Sequence, residues 1–202
     1  MISLKDWLAD KTKTAPLFHE QNLIVETFPH SSKTKLKRSK EFDELMIVTV
    51  ENGLLDDDWE GFIYIMHWKP IDSMIPLYIG KAERRGITQP ISFNIENIRK
   101  NNHAFGRWGY GLAYHIGELS HAIYREEAYK KPSKKYERWR DTLFNNVKPP
   151  TLREVVYVSL ISWKRGMKGL SGLTGSVASI EKELIALTST IPNGFLMNTD
   201  GI

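Results

Sequence analysis

Tyr64 and Tyr78 sit in two short apolar runs, Phe62–Met66 and Ile75–Ile79, separated by a loop carrying Pro70, Asp72 and Ser73. Aromatic and β-branched runs divided by turn formers read as a β-hairpin. Alternation puts Ile63 and Ile65 on one face of the first strand and Phe62, Tyr64 and Met66 on the other. On the second strand, Leu77 and Ile79 are expected to share a face, with Tyr78 opposite. In-register pairing then sets both phenols on one side of a small sheet, although cross-strand aromatic pairs are also ordinary sheet packing. Lys81, Arg84 and Arg85 follow as a basic loop closed by Gly86. Farther on, NNHAFGRWGYGLAYHIGELSHAI gathers Arg107, His103, His115 and His121 with Trp, Tyr and glycines at 106, 109, 111 and 117. That mixture is poor core material and suits a working surface. Glu181 borders the apolar stripe of the last helix, where an acid needs a salt-bridge partner or a metal. A carboxylate can hold one hard divalent cation and a guanidinium can fork onto phosphate oxygens. Phosphodiester hydrolysis needs such groups, with an activated water and help for the leaving oxygen.

The elements that must position these groups are legible to different degrees. Leu4, Trp7 and Leu8 give an amphipathic helix over 3–12, with Ser3 as candidate N-cap. Leu23–Phe28 reads as a strand, and Leu45–Val50 (LMIVTV) as a stronger one ending in an Asn52-Gly53 turn. Between them Lys33, Lys35, Lys37, Arg38 and Lys40 crowd together, either as a solvated loop or as an arm that contacts phosphates. Asp56, Asp57 and Asp58 are adjacent in sequence and read as a solvated loop. A helix is expected over 92–100, capped by Ser92, and two more over 121–131 and 133–144, parted at Pro132. The second of these carries a Tyr136, Trp139, Leu143 seam covered by Lys134, Lys135, Arg138 and Arg140. Glu154–Trp163 is the clearest strand. Lys164–Gly175 (KRGMKGLSGLTG) is basic and glycine-rich but lacks the ending of a P-loop. The last helix starts near Thr174 or Ser176, with Val177, Ile180, Leu184 and Leu187 as one packed face.

At the hairpin the sequence resembles the GIY-YIG nucleases. Phe62-Ile63-Tyr64 stands where that family writes Gly-Ile-Tyr, with Gly61 one residue early, and Tyr78-Ile79-Gly80 matches the second triplet in full. Glu181, shortly before Leu184-Ile185, matches the family's metal-binding glutamate, and Pro192 with Asn198 resembles its terminal Pro…Asn segment, Asn193 being the poorer choice. Simpler members carry their arginine soon after the second triplet, where this chain has Thr88. Arg107 with a histidine nearby resembles the expanded layout of the restriction-endonuclease branch. Arg85 and Arg99 remain alternatives for the arginine, and His103 and His121 for His115. The resemblance implies catalytic Tyr64, Tyr78, Lys81, Arg107, His115, Glu181 and Asn198, with Glu181 holding Mg2+ or Mn2+. It makes Tyr64 the base or water-orienting group. A phenol titrates near ~10, so a base at neutral pH needs roughly 3 units of lowering, to come from the metal, Arg107 and Lys81. Lys35, Lys37, Arg38, Arg84, Arg85, Lys164 and Arg165 are the expected DNA-contacting cations.

With 28 Lys and Arg against 24 Asp and Glu, the net charge of +4 permits a nucleic-acid partner without requiring one. The absence of cysteine excludes disulfides, zinc-thiolate sites and thiol catalysis. No apolar run reaches the ~20 residues that span a bilayer. The N-terminus has an early aspartate and no apolar core of a signal peptide, so a cytoplasmic protein is expected. The expected fold is α+β: a small antiparallel sheet, made of the hairpin and a third strand, flanked by helices. Residues 1–60 would form an N-terminal extension with a short helix, basic arm and strands, and 61–202 the nuclease-like core with a helical insertion over about 119–150. The implied function is a metal-dependent endonuclease acting on duplex DNA, of restriction type; symmetric double-strand cutting would call for a homodimer. Two other readings keep the same surface: a non-catalytic nucleic-acid-binding module, and a protein-interaction domain.

Overall fold

A computed structural model describes residues 4–9, 11–69, 74–86, 90–127, 131–191 and 194–198. The expected cap at Ser3, the loop at Pro70, Asp72 and Ser73, and positions Thr88, Pro192 and Asn193 lie outside these residues. In chain order the elements are α1 (Leu4–Ala9), β1 (Thr12–Pro16), β2 (Glu20–Gln21), β3 (Ile24–Val25), β4 (Thr27–His30), β5 (Lys33–Leu36), α2 (Lys40–Leu54), β6 (Trp59–Trp68) and β7 (Ile75–Glu83). Then come α3 (His115–Ile123), α4 (Lys134–Leu143), β8 (Phe144–Val147), β9 (Pro150–Leu152), β10 (Val156–Lys164) and α5 (Val177–Ser189). Among the described residues the fold is α+β with three antiparallel sheets: a central one in the order β1-β10-β6-β7, a second in the order β2-β3-β9-β8, and the β4-β5 hairpin. None of these helices is long and apolar enough to cross a membrane.

The central sheet is covered on both faces, which explains why β6 is buried at nearly every position. Phe62, Tyr64, Met66, Val158 and Leu160 pack with Phe42, Met46 and Val50 of α2, Ile116 and Leu119 of α3, and Trp139 and Leu143 of α4. Ile63, Ile65, Ile79, Ile161 and Trp163 form the opposite cluster with Trp7 and Leu8 of α1 and Val177, Ile180, Leu184 and Ile185 of α5. The hairpin and the third strand are therefore present. Residues before 61 add the edge strand β1 and the covering helix α2.

Several sequence expectations are corrected. Leu45–Val50 is helical, within α2. Ser39 caps that helix, its Oγ accepting from Phe42 N at 2.9 Å, and Glu41 and Asp43 favour the positive end of the dipole. Phe42, Met46 and Val50 fall one turn apart on the buried face, and this packing overrides the β-branched preference of the run. Gly53 lies in the last turn rather than a loop, where a Cβ would come within 2.3 Å of the Trp59 ring. The 23–28 strand is divided into β3 and β4. The 92–100 segment makes turns in place of a helix: Ser92 O accepts from Ile95 N and Glu96 N, and then Asn97 turns left-handed at φ 51. The helix placed at 121–131 begins earlier, as α3. On α5 the buried face runs through Ile185 and Thr188, while Leu187 is 39% exposed.

The hairpin also departs from simple alternation. The register shifts between Met66 and His67, so Tyr78 lies opposite Met66 while His67 lies opposite Pro76. Leu77 occupies the bulge and joins the core beside Tyr64, so it and Ile79 are on opposite faces. The phenols do share a side, their rings stacked at 6.3 Å and 29°.

A buried polar chain ties three central strands together. His67 Nδ1 lies 2.8 Å from Lys69 O, a carbonyl that only accepts, so Nδ1 carries the proton. Nε2 then accepts from Ser159 Oγ at 2.9 Å, and Ser159 Oγ accepts from Thr14 Oγ1 at 2.6 Å. Burial lowers the His67 pKa below its ordinary value, with the carbonyl contacts opposing. The unfolded chain therefore binds the extra proton first, and stability present above about pH 6.5 is lost as the pH falls toward the depressed native value. Melting temperature is expected to drop from pH 7 to pH 5, and His67→Gln to flatten that dependence; equal slopes in the two proteins would contradict this account.

Candidate active site

Tyr64, Tyr78, Lys81, Arg107, His115 and Glu181 line one cleft of about 360 Å³, together with Ala82, Glu83, Arg85, Gly86, Ser92 and Asn94. The cleft lies across edge strand β7. Tyr78 shares the Tyr64 side, Lys81 pairs with Ile63 and so shares the α5 side, and Glu181 enters from α5. Gly80 lies directly opposite Tyr64, and a Cβ there would sit 2.5 Å from the phenol oxygen. The second triplet's glycine thus makes the space that Tyr64 occupies.

Arg107 is brought in by a tight turn over Phe105–Arg107. Gly106 has φ 55 and Arg107 φ 77, two left-handed residues in succession, which for arginine is a strained backbone. Asn94 O fixes the turn by accepting from Gly106 N at 2.8 Å. Its deeper support is Arg38, whose guanidinium donates to Trp108 O at 2.8 Å, to Asn102 Oδ1 at 3.3 Å and to Asp43 Oδ1 at 2.7 Å. Arg38 also stacks over Phe105 at 3.9 Å and Tyr110 at 4.3 Å. The Arg107 guanidinium lies over the Tyr114 ring at 5.7 Å.

His115, the first residue of α3, is buried among Tyr64, Tyr78, Trp108, Tyr136 and Trp139. Its Nε2 lies 2.8 Å from Tyr64 Oη and its Nδ1 2.9 Å from Tyr136 Oη. Burial, then the charges of Lys135 and Arg107, hold its pKa well below the ordinary value, so the ring is neutral at pH 7. Burial likewise pushes the Tyr64 phenol well above 10, Tyr78 and Glu181 adding to the rise and Arg107 opposing it. Of the cations expected to lower the Tyr64 pKa, Arg107 does pull it down, but desolvation of the phenolate exceeds that attraction. Tyr136 is raised for the same first reason.

Glu181 is half-buried, and desolvation raises its carboxyl; Lys81 pulls it down and Glu83 pushes it up. Lys81 pairs with Glu83 at 2.9 Å. No group of three metal-ligating side chains occurs among the described residues. A single half-desolvated carboxylate still suits magnesium, which typically takes one or two protein carboxylates and completes its shell with water and phosphate.

Other expected residues stand elsewhere. Asn198 does not line the cleft: its Oδ1 accepts from Ile79 N at 2.9 Å and its Nδ2 donates to Ile79 O at 2.8 Å, so it pairs with the free edge of β7 like a peptide group. Lys35 and Arg38 are buried, at 4% and 3% exposure, which rules out a projecting phosphate-binding arm. Lys35 Nζ donates to Gly117 O and Lys37 pairs with Glu26. Lys35 and Arg38 look inward, while Lys37 meets Glu26 at the surface, because the chain from 33 to 36 forms β5 and then packs under the 101–110 loop. Arg85 borders the cleft and also an adjoining groove with Arg84, Arg165, Asp57, Glu60 and Glu83. Arg84 is tied to the carbonyls of Asp56 and Trp59, Lys164 to Asp56, and Arg165 lies 3.8 Å from Asp58. Of the alternatives, Arg99 pairs with Glu51, His103 packs against His30, and His121 is buried on α3.

Sequence reasoning missed Lys135 and Tyr136. Lys135 Nζ donates to Tyr78 Oη at 3.0 Å and lies 4.4 Å over its ring. On a helix periodicity assigns Tyr136 to the buried seam and Lys135 to its border, and nothing local says which core that seam joins. Compared with known proteins, the chain matches no family model, no curated protein and no solved structure.

Asn198→Ala removes a buried pair of hydrogen bonds and leaves two backbone groups unsatisfied. A loss of about 1–3 kcal/mol is expected, read as a fall in denaturation midpoint, whereas Glu181→Gln should leave the midpoint within error. Equal stabilities for the Asn198 variant and the parent would remove the clamp.

Proposed function

We propose that this chain is a metal-dependent endonuclease of the GIY-YIG kind that hydrolyses phosphodiester bonds in duplex DNA. The observation that carries the reading is the convergence, in one cleft, of two stacked phenols, a neutral imidazole, a guanidinium, a lysine and a carboxylate drawn from residues 64 to 181. Each has a place in phosphoryl-transfer chemistry, and they come from separate elements of the chain.

Arg107 forks onto non-bridging oxygens of the scissile phosphate and offsets the charge that gathers there. Tyr78 Oη accepts from Lys135, which leaves its own proton to donate toward the phosphate. The raised phenol pKa argues against a standing Tyr64 phenolate, so Tyr64 works as a relay. The attacking water passes a proton to Tyr64 Oη while the Tyr64 proton moves to His115 Nε2. The new P–O bond forms, the P–O bond to the leaving group breaks, and solvent protonates the leaving oxygen. An anionic phosphate entering the cleft raises the basicity of His115, which is otherwise held low by burial and two cations. A divalent cation held by Glu181 would supply Lewis-acid polarisation of the phosphate and its bound water.

Supercoiled plasmid is expected to be nicked in the presence of Mg2+ and left intact with chelator. Glu181→Gln should abolish nicking with binding and melting temperature retained. Arg107→Ala should lower kcat by about 10²–10³-fold, the usual effect of removing one stabiliser of transition-state charge. DNA retention without cleavage under either Mg2+ or Mn2+ would refute the hydrolase and leave a binding module.

A further inference from the structure

We infer that Tyr136 of the inserted helix α4 is a positioning residue: its hydroxyl holds His115 in the tautomer protonated on Nδ1, leaving Nε2 as the acceptor for Tyr64. The inference rests on the proposed nuclease reading for its catalytic consequence, but not for the tautomer itself.

The geometry is a three-member chain, Tyr64 Oη, His115 Nε2 and Nδ1, Tyr136 Oη, with contacts of 2.8 and 2.9 Å. A neutral imidazole has one N–H, so only two proton arrangements satisfy both contacts. In one, Tyr64 donates to Nε2 and Nδ1–H donates to Tyr136. In the other, both bonds run the opposite way, and Tyr64 has an N–H aimed at its oxygen and cannot give up its proton to the ring. The charges around the chain choose between them. Arg107 lines the cleft with Tyr64 and favours the phenol's lone pairs turned toward it, an effect larger than the opposing one of Glu181. At the other end Glu118, one turn along α3 from His115, acts on Tyr136 and attracts that hydroxyl's proton, an effect larger than the opposing one of Arg107. With the cation the stronger of the two at the Tyr64 end and the carboxylate the stronger at the Tyr136 end, the donors align from Tyr64 toward Glu118. Lys135 also acts on the ring, and its ammonium is engaged by Tyr78 Oη at 3.0 Å.

Orientation of a functional imidazole by a hydrogen bond to its other nitrogen is a general device. Here the bond comes from the segment that reads in sequence as a helical insertion. The rings of Trp108 and Trp139 pack on His115 and hold its plane, but neither can accept Nδ1–H. Tyr136→Phe keeps that packing and deletes only the acceptor.

The test is long-range 1H–15N NMR on 15N-histidine-labelled full-length protein, with His115→Gln to assign the signal. In the parent, His115 should be neutral at pH 7 with Nδ1 protonated and Nε2 bare. In Tyr136→Phe the population should move toward Nε2–H. On the nuclease reading, plasmid nicking should fall about 10–100-fold, the scale typical of orienting partners, with DNA binding kept. A parent ring protonated on Nε2 overturns the inference whatever the variant does, including a variant that fails to fold. An unchanged tautomer in a folded Tyr136→Phe overturns it as well. Should the parent not cleave DNA at all, the nuclease reading fails by itself, and the tautomer measurement still decides the role of Tyr136.

Discussion

The register between β6 and β7 is the constraint on which the cleft depends. Pairing Tyr64 with Gly80 gives the phenol a place without a facing side chain, and the bulge beyond Met66 brings Tyr78 onto the same face. A slip by one residue would exchange Tyr64 for Ile63 and turn the phenol into the α1–α5 cluster. The burial of β6 on both faces prevents that slip, because Ile63 and Ile65 are as fully enclosed as Phe62 and Tyr64.

Around that fixed pair, the remaining groups are held by side chains distant in sequence. Arg38 is the principal one. It joins the start of α2 to the 101–110 loop by hydrogen bonds and stacking, and so supports a turn that puts arginine at positive φ. Breaking one partner of such a buried cation leaves the other charge uncompensated, which makes this support hard to vary. Strain at Arg107 and burial of Arg38 are two sides of one arrangement: the guanidinium in the cleft is kept by the guanidinium underneath it.

What the sequence discloses follows the range of the interaction. The hairpin, the strand near 156–164 and the terminal helix carry their own periodicity and caps, and they are legible. Tyr64, Tyr78 and Glu181 are legible through the resemblance that their short motifs carry, Lys81 through the basic run after the hairpin, and Arg107 and His115 through a composition unsuited to a core. The failures share a cause. LMIVTV has a strand's residues, but its flanking charges and the Ser39 cap make it a helix with one buried face. Lys35 and Arg38 look like solvated cations until the fold provides Gly117 O, Trp108 O and Asp43 as partners. Asn198 resembles a catalytic amide, yet its two hydrogen bonds are spent on a backbone edge. Tyr136 is recognised as buried and not as a partner of His115, since helical periodicity gives a face but not what the face meets.

The edge clamp also has a consequence in time. Asn198 seals β7 from 119 positions downstream, and the acid on α5 is likewise made late. During synthesis the phenols, the imidazole and the guanidinium emerge from the ribosome well before the carboxylate and the clamp. A fragment released before residues 181 to 198 are made therefore has an unsealed strand edge and only part of the cleft, and the hollow is assembled only once that stretch has followed.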